Sequence, residues 1–282
     1  MFRALLPAGK LLRRNPQSFS LFGRCQPIYS DTFHGIEQFT GHIAKQKLLV
    51  DDVETFKQRV RENFRNSGMQ NIFTEEIRKF QLFAKDEQEM ELAMEMMIEI
   101  FNSQLSFKDV QSIQSIFRAF FTICYINKWS KQAIAAWNHP QLKKSLMLTN
   151  VKKLSRVYFD LLFVCGNYTE IVQEFQREPE FYSKMAGQPA LTITSFACYK
   201  LNTTDSLQQL MAWLPLVRRE NVGNSSVFKA AALLAFNQQE LGLAYDIVKV
   251  PSTSIDNYSG HAGCLSVGYA YAVCSLWFLV VI

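Results

Sequence analysis

The sequence predicts an all-α fold: an α-solenoid of stacked antiparallel helix pairs. Three observations predict it. Apolar residues recur at helical spacing through most of the chain, helix breakers are sparse at 12 Gly and 8 Pro in 282 residues, and one helix-turn-helix pattern returns at a near-constant interval. With 48% hydrophobic and 20% charged residues, the chain has a globular balance and can bury a sizeable core.

The pattern is plainest in "YFDLLFVCGNYTEIVQEF", Tyr158 to Phe175. Leu154, Val157, Tyr158, Leu161, Leu162 and Cys165 share one face of a helix. Gly166 then fits the left-handed position that closes a helix, where a side chain would clash. After Asn167, the residues Tyr168, Ile171, Val172 and Phe175 resume helical spacing. So short a turn makes the two helices antiparallel. Upstream, Ile113, Ile116, Phe117, Phe120, Phe121 and Cys124 repeat the first helix, and "YINKWSKQAIAAW" gives the turn and the second. "FQLFAKDEQEMELAMEMM", "FACYKLNTTDSLQQL" and "ALLAFNQQELGLAYDIV" repeat the plan. Taking the small or apolar residue early in each second helix as an anchor gives Ala93, Ala133, Ile171, Leu207 and Ala244, at intervals of 40, 38, 36 and 37 residues. A single hairpin cannot bury its apolar face, so neighbours stack and share a continuous core. Period and helix type leave several repeat families open.

Four segments follow along the chain. Residues 1–30 carry Arg3, Lys10, Arg13, Arg14 and Arg24 with Leu and Phe between them, and no Asp or Glu. They read as a mitochondrial targeting presequence. Without them the formal charge of +5 becomes zero, with 25 basic against 25 acidic residues. The overall charge therefore says little about nucleic acid, and any RNA-binding surface must arise from local clustering. Residues 31–72 read as an N-terminal helical cap, with Asp51 and Asp52 starting a helix through Val53, Phe56, Val60 and Phe64. Residues 73–250 hold the repeats, about five helix pairs. In residues 251–282 the stretch from Ser259 to Ile282 has no charged side chain. That tail admits three readings: a non-native or truncated terminus replacing further repeats, a tail anchor, or a final helix pair.

The six cysteines (Cys25, Cys124, Cys165, Cys198, Cys264 and Cys274) form no C-x-x-C pair, and the four histidines are scattered. No metal site is expected, and free thiols fit a reducing compartment such as the matrix. Nucleotide-binding loops, H-E-x-x-H and G-x-S-x-G are absent from the sequence. No acid follows Asp256, so nothing C-terminal could supply a nuclease metal site. The expectation is a protein without catalytic activity and without a cofactor.

"FDLLFVCGNYTEIVQEF" resembles the pentatricopeptide repeat, in which a first helix ends at Gly and a second begins with an aromatic residue or Leu. "ACYKLNTTDSLQQL" and "LAFNQQELGLAYDI" look like the mitochondrial pentatricopeptide repeat domain-containing protein 2 family, over residues 45–258. The resemblance implies a helical solenoid in mitochondria, a role in mitochondrial RNA maturation, support of the respiratory chain, and no catalytic residues. The sequence departs from the repeat pattern in three ways. Its intervals are longer and drift. The turn glycine stands only at Gly166, with Gln88, Lys128 and Asn202 or Gln239 in its place elsewhere. The charge-free tail has no counterpart.

Modular repeats of this type read one base per repeat, largely from the first helix. The resemblance places that reading position fifteen residues before each anchor, at Arg78, Arg118, Arg156, Thr192 and Lys229. Four of the five are basic. In register they form a ladder able to track a phosphate backbone. The family's readers are short and polar; only Thr192 is of that kind, so Arg and Lys here imply backbone contact or loose selectivity. The bland alternative is that all five are solvated helix positions. Lys143-Lys144, Lys152-Lys153 and Arg218-Arg219 read as solvated helix ends, and Phe117, Phe120, Phe121, Trp129 and Trp137 as core. The expected partners are single-stranded mitochondrial RNA and, through it, processing nucleases; membrane association rests on the tail alone. The expected role is assistance to RNA processing or transcript stability in the matrix. The competing role is a protein-binding scaffold in respiratory-complex assembly.

Overall fold

The computed structural model describes residues 28–50, 52–67, 73–102, 110–146, 151–182, 188–217 and 226–253. The expected presequence up to Pro27, Arg218-Arg219 and the charge-free tail lie outside the described residues.

All regular structure in the described residues is helical. Three helices come first: α1 (Asp31–His34), α2 (Ile36–Leu48) and α3 (Val53–Ser67). Five pairs follow: α4 (Thr74–Leu82) with α5 (Glu87–Asn102), α6 (Val110–Asn127) with α7 (Ser130–Asn138), α9 (Val151–Val164) with α10 (Tyr168–Arg177), α12 (Gln188–Leu201) with α13 (Thr204–Trp213), and α14 (Ser226–Asn237) with α15 (Leu241–Thr253). Two short helices, α8 (Pro140–Leu146) and α11 (Pro179–Phe181), are extra to the repeat pattern. Each pair packs internally, and α4 packs on α6, α6 on α9, α9 on α12 and α12 on α14. The first helices thus stand side by side in chain order. The five anchors Ala93, Ala133, Ile171, Leu207 and Ala244 are all buried, because the second helix of each pair turns that residue toward its partner.

The turns repeat in atomic detail. Lys128, Gly166, Asn202 and Gln239 all have positive φ, at 62°, 78°, 51° and 65°. At three of them the next residue's N–H closes back on the helix: Trp129 to Cys124 O, Asn167 to Leu162 O and Glu240 to Ala235 O, each at 2.9 Å. This left-handed closure satisfies carbonyls that the helix end would leave unpaired. At the fourth, the Asn202 N–H bonds to Cys198 O at 3.0 Å. Neighbouring turns are also linked. Gln238 Nε2 donates to Asn202 O at 2.7 Å, and the equivalent Cys165 Sγ–H lies 3.6 Å from Lys128 O.

Gln88 is the exception. It lies in the first turn of α5, and the first hairpin bends instead through Phe83 to Asp86, where Asp86 Oδ1 accepts the Glu89 N–H at 2.8 Å. A carboxylate cap replaces the left-handed residue there.

A direct prediction follows from the strained turns. A Cβ at Gly166 would meet nothing within 4 Å, so Gly166→Ala carries only the backbone penalty, about 1 kcal/mol. Gln239 is exposed and left-handed, so Gln239→Gly should stabilise by about 0.5 kcal/mol after the added entropy of glycine is subtracted. Urea midpoints should move in opposite directions for the two variants.

The segment 31–72, expected as a cap, divides. Helix α3 does pack on α4. Asp52 caps it, its Oδ1 accepting the Glu54 N–H at 2.9 Å, and its Lys57, fully buried, donates to Glu89 Oε1 at 2.7 Å. Helix α1 instead packs on α9, in the middle of the row of first helices. The physical reason is Asp160, an acid buried in α9 whose hydrogen bonds come largely from this N-terminal segment.

Candidate ligand-binding face

The five sequence-predicted residues sit on the five first helices: Arg78 on α4, Arg118 on α6, Arg156 on α9, Thr192 on α12 and Lys229 on α14. Four of them meet one continuous piece of chain, residues 28–48, here called the strap. The Tyr29 hydroxyl faces Thr192 and Arg156. The Arg156 guanidinium lies over the Phe33 ring, 5.5 Å from its centroid. Arg118 Nη2 would lie 3.7 Å from a Cβ placed on Gly35. Arg78 Nη1 is 3.1 Å from His42 Nε2. Contacts at positions 29, 33, 35 and 42 of the strap thus fall on α12, α9, α6 and α4 in turn. The strap runs along the face in the direction opposite to the order of the pairs.

Four of the five candidates thus border one segment, and the five are not equivalent. Arg118 is exposed and Lys229 partly so. Arg78 is held by Glu75, its Nε and Nη2 donating to the carboxylate at 2.8 and 2.6 Å. Thr192, expected to be a solvated reader, is only 4% exposed. It lies under the strap, flanked by the buried Leu191 and Ile193 of α12. Arg156 Nε is buried without a hydrogen-bond partner, whereas the Thr192 hydroxyl has the Tyr29 hydroxyl as its polar neighbour. Burial pushes the facing Tyr29 phenol up, while Thr192 and Arg156 pull the other way.

The strap is fixed at Asp160. This carboxylate is fully buried. It accepts from the Ile28 N–H at 3.0 Å, from His34 Nε2 at 2.8 Å and from the Tyr125 hydroxyl at 3.3 Å. Burial first, and then the adjacent Asp160 charge, push the Tyr125 phenol well above its ordinary range. Around this anchor Tyr29 stacks on Phe33 at 4.6 Å, and His34 leans on Tyr125 at 5.3 Å. The bend between α1 and α2 falls at Gly35, with φ of 71°. Ile36 and Phe39 then enter the core.

Sequence reasoning missed Asp160, His34 and Tyr125. A signal existed for Asp160, which is a lone charge inside the apolar run "VYFDLLFV". Such a charge needs a buried partner, yet that partner lies 126 residues away at His34, and one sequence cannot link the two.

A second buried acid lies elsewhere, between α7, α8 and α10. Glu174 Oε1 accepts from Trp137 Nε1 at 3.0 Å and from the Tyr182 hydroxyl at 2.5 Å, and Oε2 accepts from Arg177 at 2.7 Å. Lys143 approaches at 3.4 Å, so Lys143 is not the free helix-end cation the sequence suggested. Burial pushes the Glu174 carboxyl up, but the two hydrogen bonds and two cations outweigh it and hold the group below the usual carboxylate range. Phe117, Phe120, Phe121 and Trp137 are core residues as expected, and Trp129 is partly buried against them.

Among the described residues no group of His, Cys, Asp or Glu could hold a metal ion, and no helix is long and apolar enough to cross a membrane. Cys124 and Cys198 are buried free thiols; burial raises Cys198 to about 12. No family model, curated protein or solved structure matches the chain.

Proposed function

We propose that this chain is a non-catalytic α-solenoid that binds single-stranded RNA in the mitochondrial matrix and assists RNA processing or transcript stability, in support of the respiratory chain. One observation carries the reading: Arg78, Arg118, Arg156 and Thr192, on successive first helices, all meet a single linear segment and so line one track. A track that follows a linear polymer end to end, with a guanidinium on three of its four helices, suits a phosphate backbone. The left-handed turns at intervals of 38, 36 and 37 residues support the repeat assignment. The presequence expectation and the motif resemblance to pentatricopeptide proteins support the compartment and the role.

A second reading has its own support. The occupant of the track is polypeptide, held by Asp160 and by ring contacts. That favours a protein-binding scaffold, of the kind that would serve respiratory-complex assembly, as the competitor. Salt separates the two. RNA held through phosphates weakens steeply as salt rises, whereas a helix held through buried apolar and hydrogen-bonded contacts does not. The test is binding of labelled single-stranded RNA by the full chain across a salt series. Tight binding with a steep salt slope supports the RNA reading; no binding at low salt moves the assignment to the scaffold.

A further inference from the structure

The strap occupies the face on which the RNA reading depends. We propose that residues 28–48 are a displaceable intramolecular occupant of that face, and that RNA reaches Arg118, Arg156 and Thr192 by replacing the strap. The inference rests on the RNA reading and adds its regulation.

Three features support displacement over permanent cover. The first is poor electrostatic match. The strap has only two carboxylates, Asp31 and Glu37, and among the described residues neither forms an ion pair with Arg78, Arg118 or Arg156. A strap that served only to neutralise the arginines would place acids there. The second is incomplete satisfaction. Arg156 Nε is buried beneath the strap without a hydrogen-bond partner, and native structures rarely leave such a group unpaired. A phosphate oxygen would supply the missing acceptor to Arg156. The third is the nature of the fastening. The polar fastening is concentrated in one cluster, Ile28 N–H and His34 on Asp160, with Arg78 on His42 a second, partly buried point, and Phe33 remains 48% exposed although it covers Arg156. The strap ends in Leu48, which is 86% exposed, and the following Leu49 is 73% exposed, so the chain at its far end is not sealed by packing. Release of His34 leaves Asp160 with Tyr125 and with water that enters as the strap departs.

The consequence is quantitative. A face that is open in only a fraction of molecules binds with an apparent Kd raised by the inverse of that fraction. A strap closed in about nine molecules of ten weakens RNA binding about tenfold.

The test compares the full-length protein with a full-length Tyr29→Ala, Phe33→Ala, His34→Ala variant. None of these three is a proposed RNA contact. A fluorescein-labelled mixed-sequence single-stranded RNA serves as probe, and circular dichroism checks helicity. Hydrogen exchange of the unaltered protein, with and without the RNA, gives a readout that does not depend on how the variant folds. The expected result is about tenfold tighter binding by the variant, and faster exchange in residues 28–48 of the unaltered protein when RNA is added. Equal affinity with unchanged exchange would overturn the strap as competitor and leave RNA binding standing. Slower exchange in residues 28–48 on adding RNA would also overturn it, because the strap would then be part of the site. Absence of RNA binding by both proteins would overturn the RNA reading and this inference together; capture of a synthetic peptide of residues 28–48 by the variant would then identify the face as a polypeptide site.

Discussion

Replacing Glu174 with alanine is expected to cost about 3–5 kcal/mol, the range for breaking a buried ionic pair from one side. The carboxylate is 3% exposed and joins α7, α8, α10 and Tyr182 at one point. Its removal strands the Trp137 indole N–H and the Tyr182 hydroxyl, both of which are almost fully buried; each costs about 1–3 kcal/mol when left without an acceptor. Lys143 and Arg177 contribute less, because their side chains are 27% and 56% exposed and can return to water. The stacked Trp137 and Tyr158 rings, 4.3 Å apart, lie next to this site, so the damage should spread between adjacent pairs. Urea unfolding at neutral pH measures the loss. The pH dependence has a fixed sign. The folded Glu174 carboxyl is held below its ordinary value of 4.5, so its contribution is complete above that pH and disappears as pH falls through the folded value. The gap between the native protein and Glu174→Gln should therefore narrow in acid. A gap that widened in acid would mean that the carboxyl is protonated in the native state.

Changing Arg78, Arg118, Arg156 and Lys229 together to glutamine should reduce RNA affinity at low salt by on the order of 1000-fold, from about 1 kcal/mol per lost phosphate contact. The logarithmic salt slope should fall by about 3, since each single-strand phosphate contact contributes about 0.7. Helicity should be unchanged, because none of the four forms the buried core. Two of the substitutions also loosen the strap by removing the Arg78–His42 and Arg156–Phe33 contacts. That effect opposes the loss of affinity, which makes a measured decrease the stricter outcome. Retained affinity and slope would place RNA on another surface, such as the exposed helix starts near Lys131 and Lys153.

Much of this architecture is legible in the residues. The 3.6-residue apolar period is plain in α10, which buries Ile171, Val172 and Phe175 on one face, whereas α9, α12 and α14 lie between several neighbours and bury runs of consecutive residues. The turn at Gly166 is legible because glycine tolerates positive φ, and the substitutions at Lys128, Asn202 and Gln239 remain readable by register. Gln88 misled because its hairpin closes with a carboxylate cap at Asp86 and needs no left-handed residue. Helix α8 was not legible. Its seven residues, Pro140–Leu146, are too few to establish a period, and contact with α5, α6 and α7 fixes them. The placement of the five candidates on the five first helices follows from the repeat register and the resemblance. The strap does not, because its contacts join residues 28–42 to residues 78–192 across unrelated sequence. Its amphipathic pattern reads as an ordinary cap; only the buried charge of Asp160 decides that it turns back over the face.

The most direct measurement is photo-crosslinking of a 4-thiouridine-substituted single-stranded RNA to the full-length protein, with the crosslinked peptides mapped by mass spectrometry. The account predicts crosslinks in α6, α9 and α12, on peptides that contain Arg118, Arg156 and Thr192. Crosslinks confined to α7, α10 and α13, on the opposite layer, would contradict the claim that the first-helix face is the RNA track.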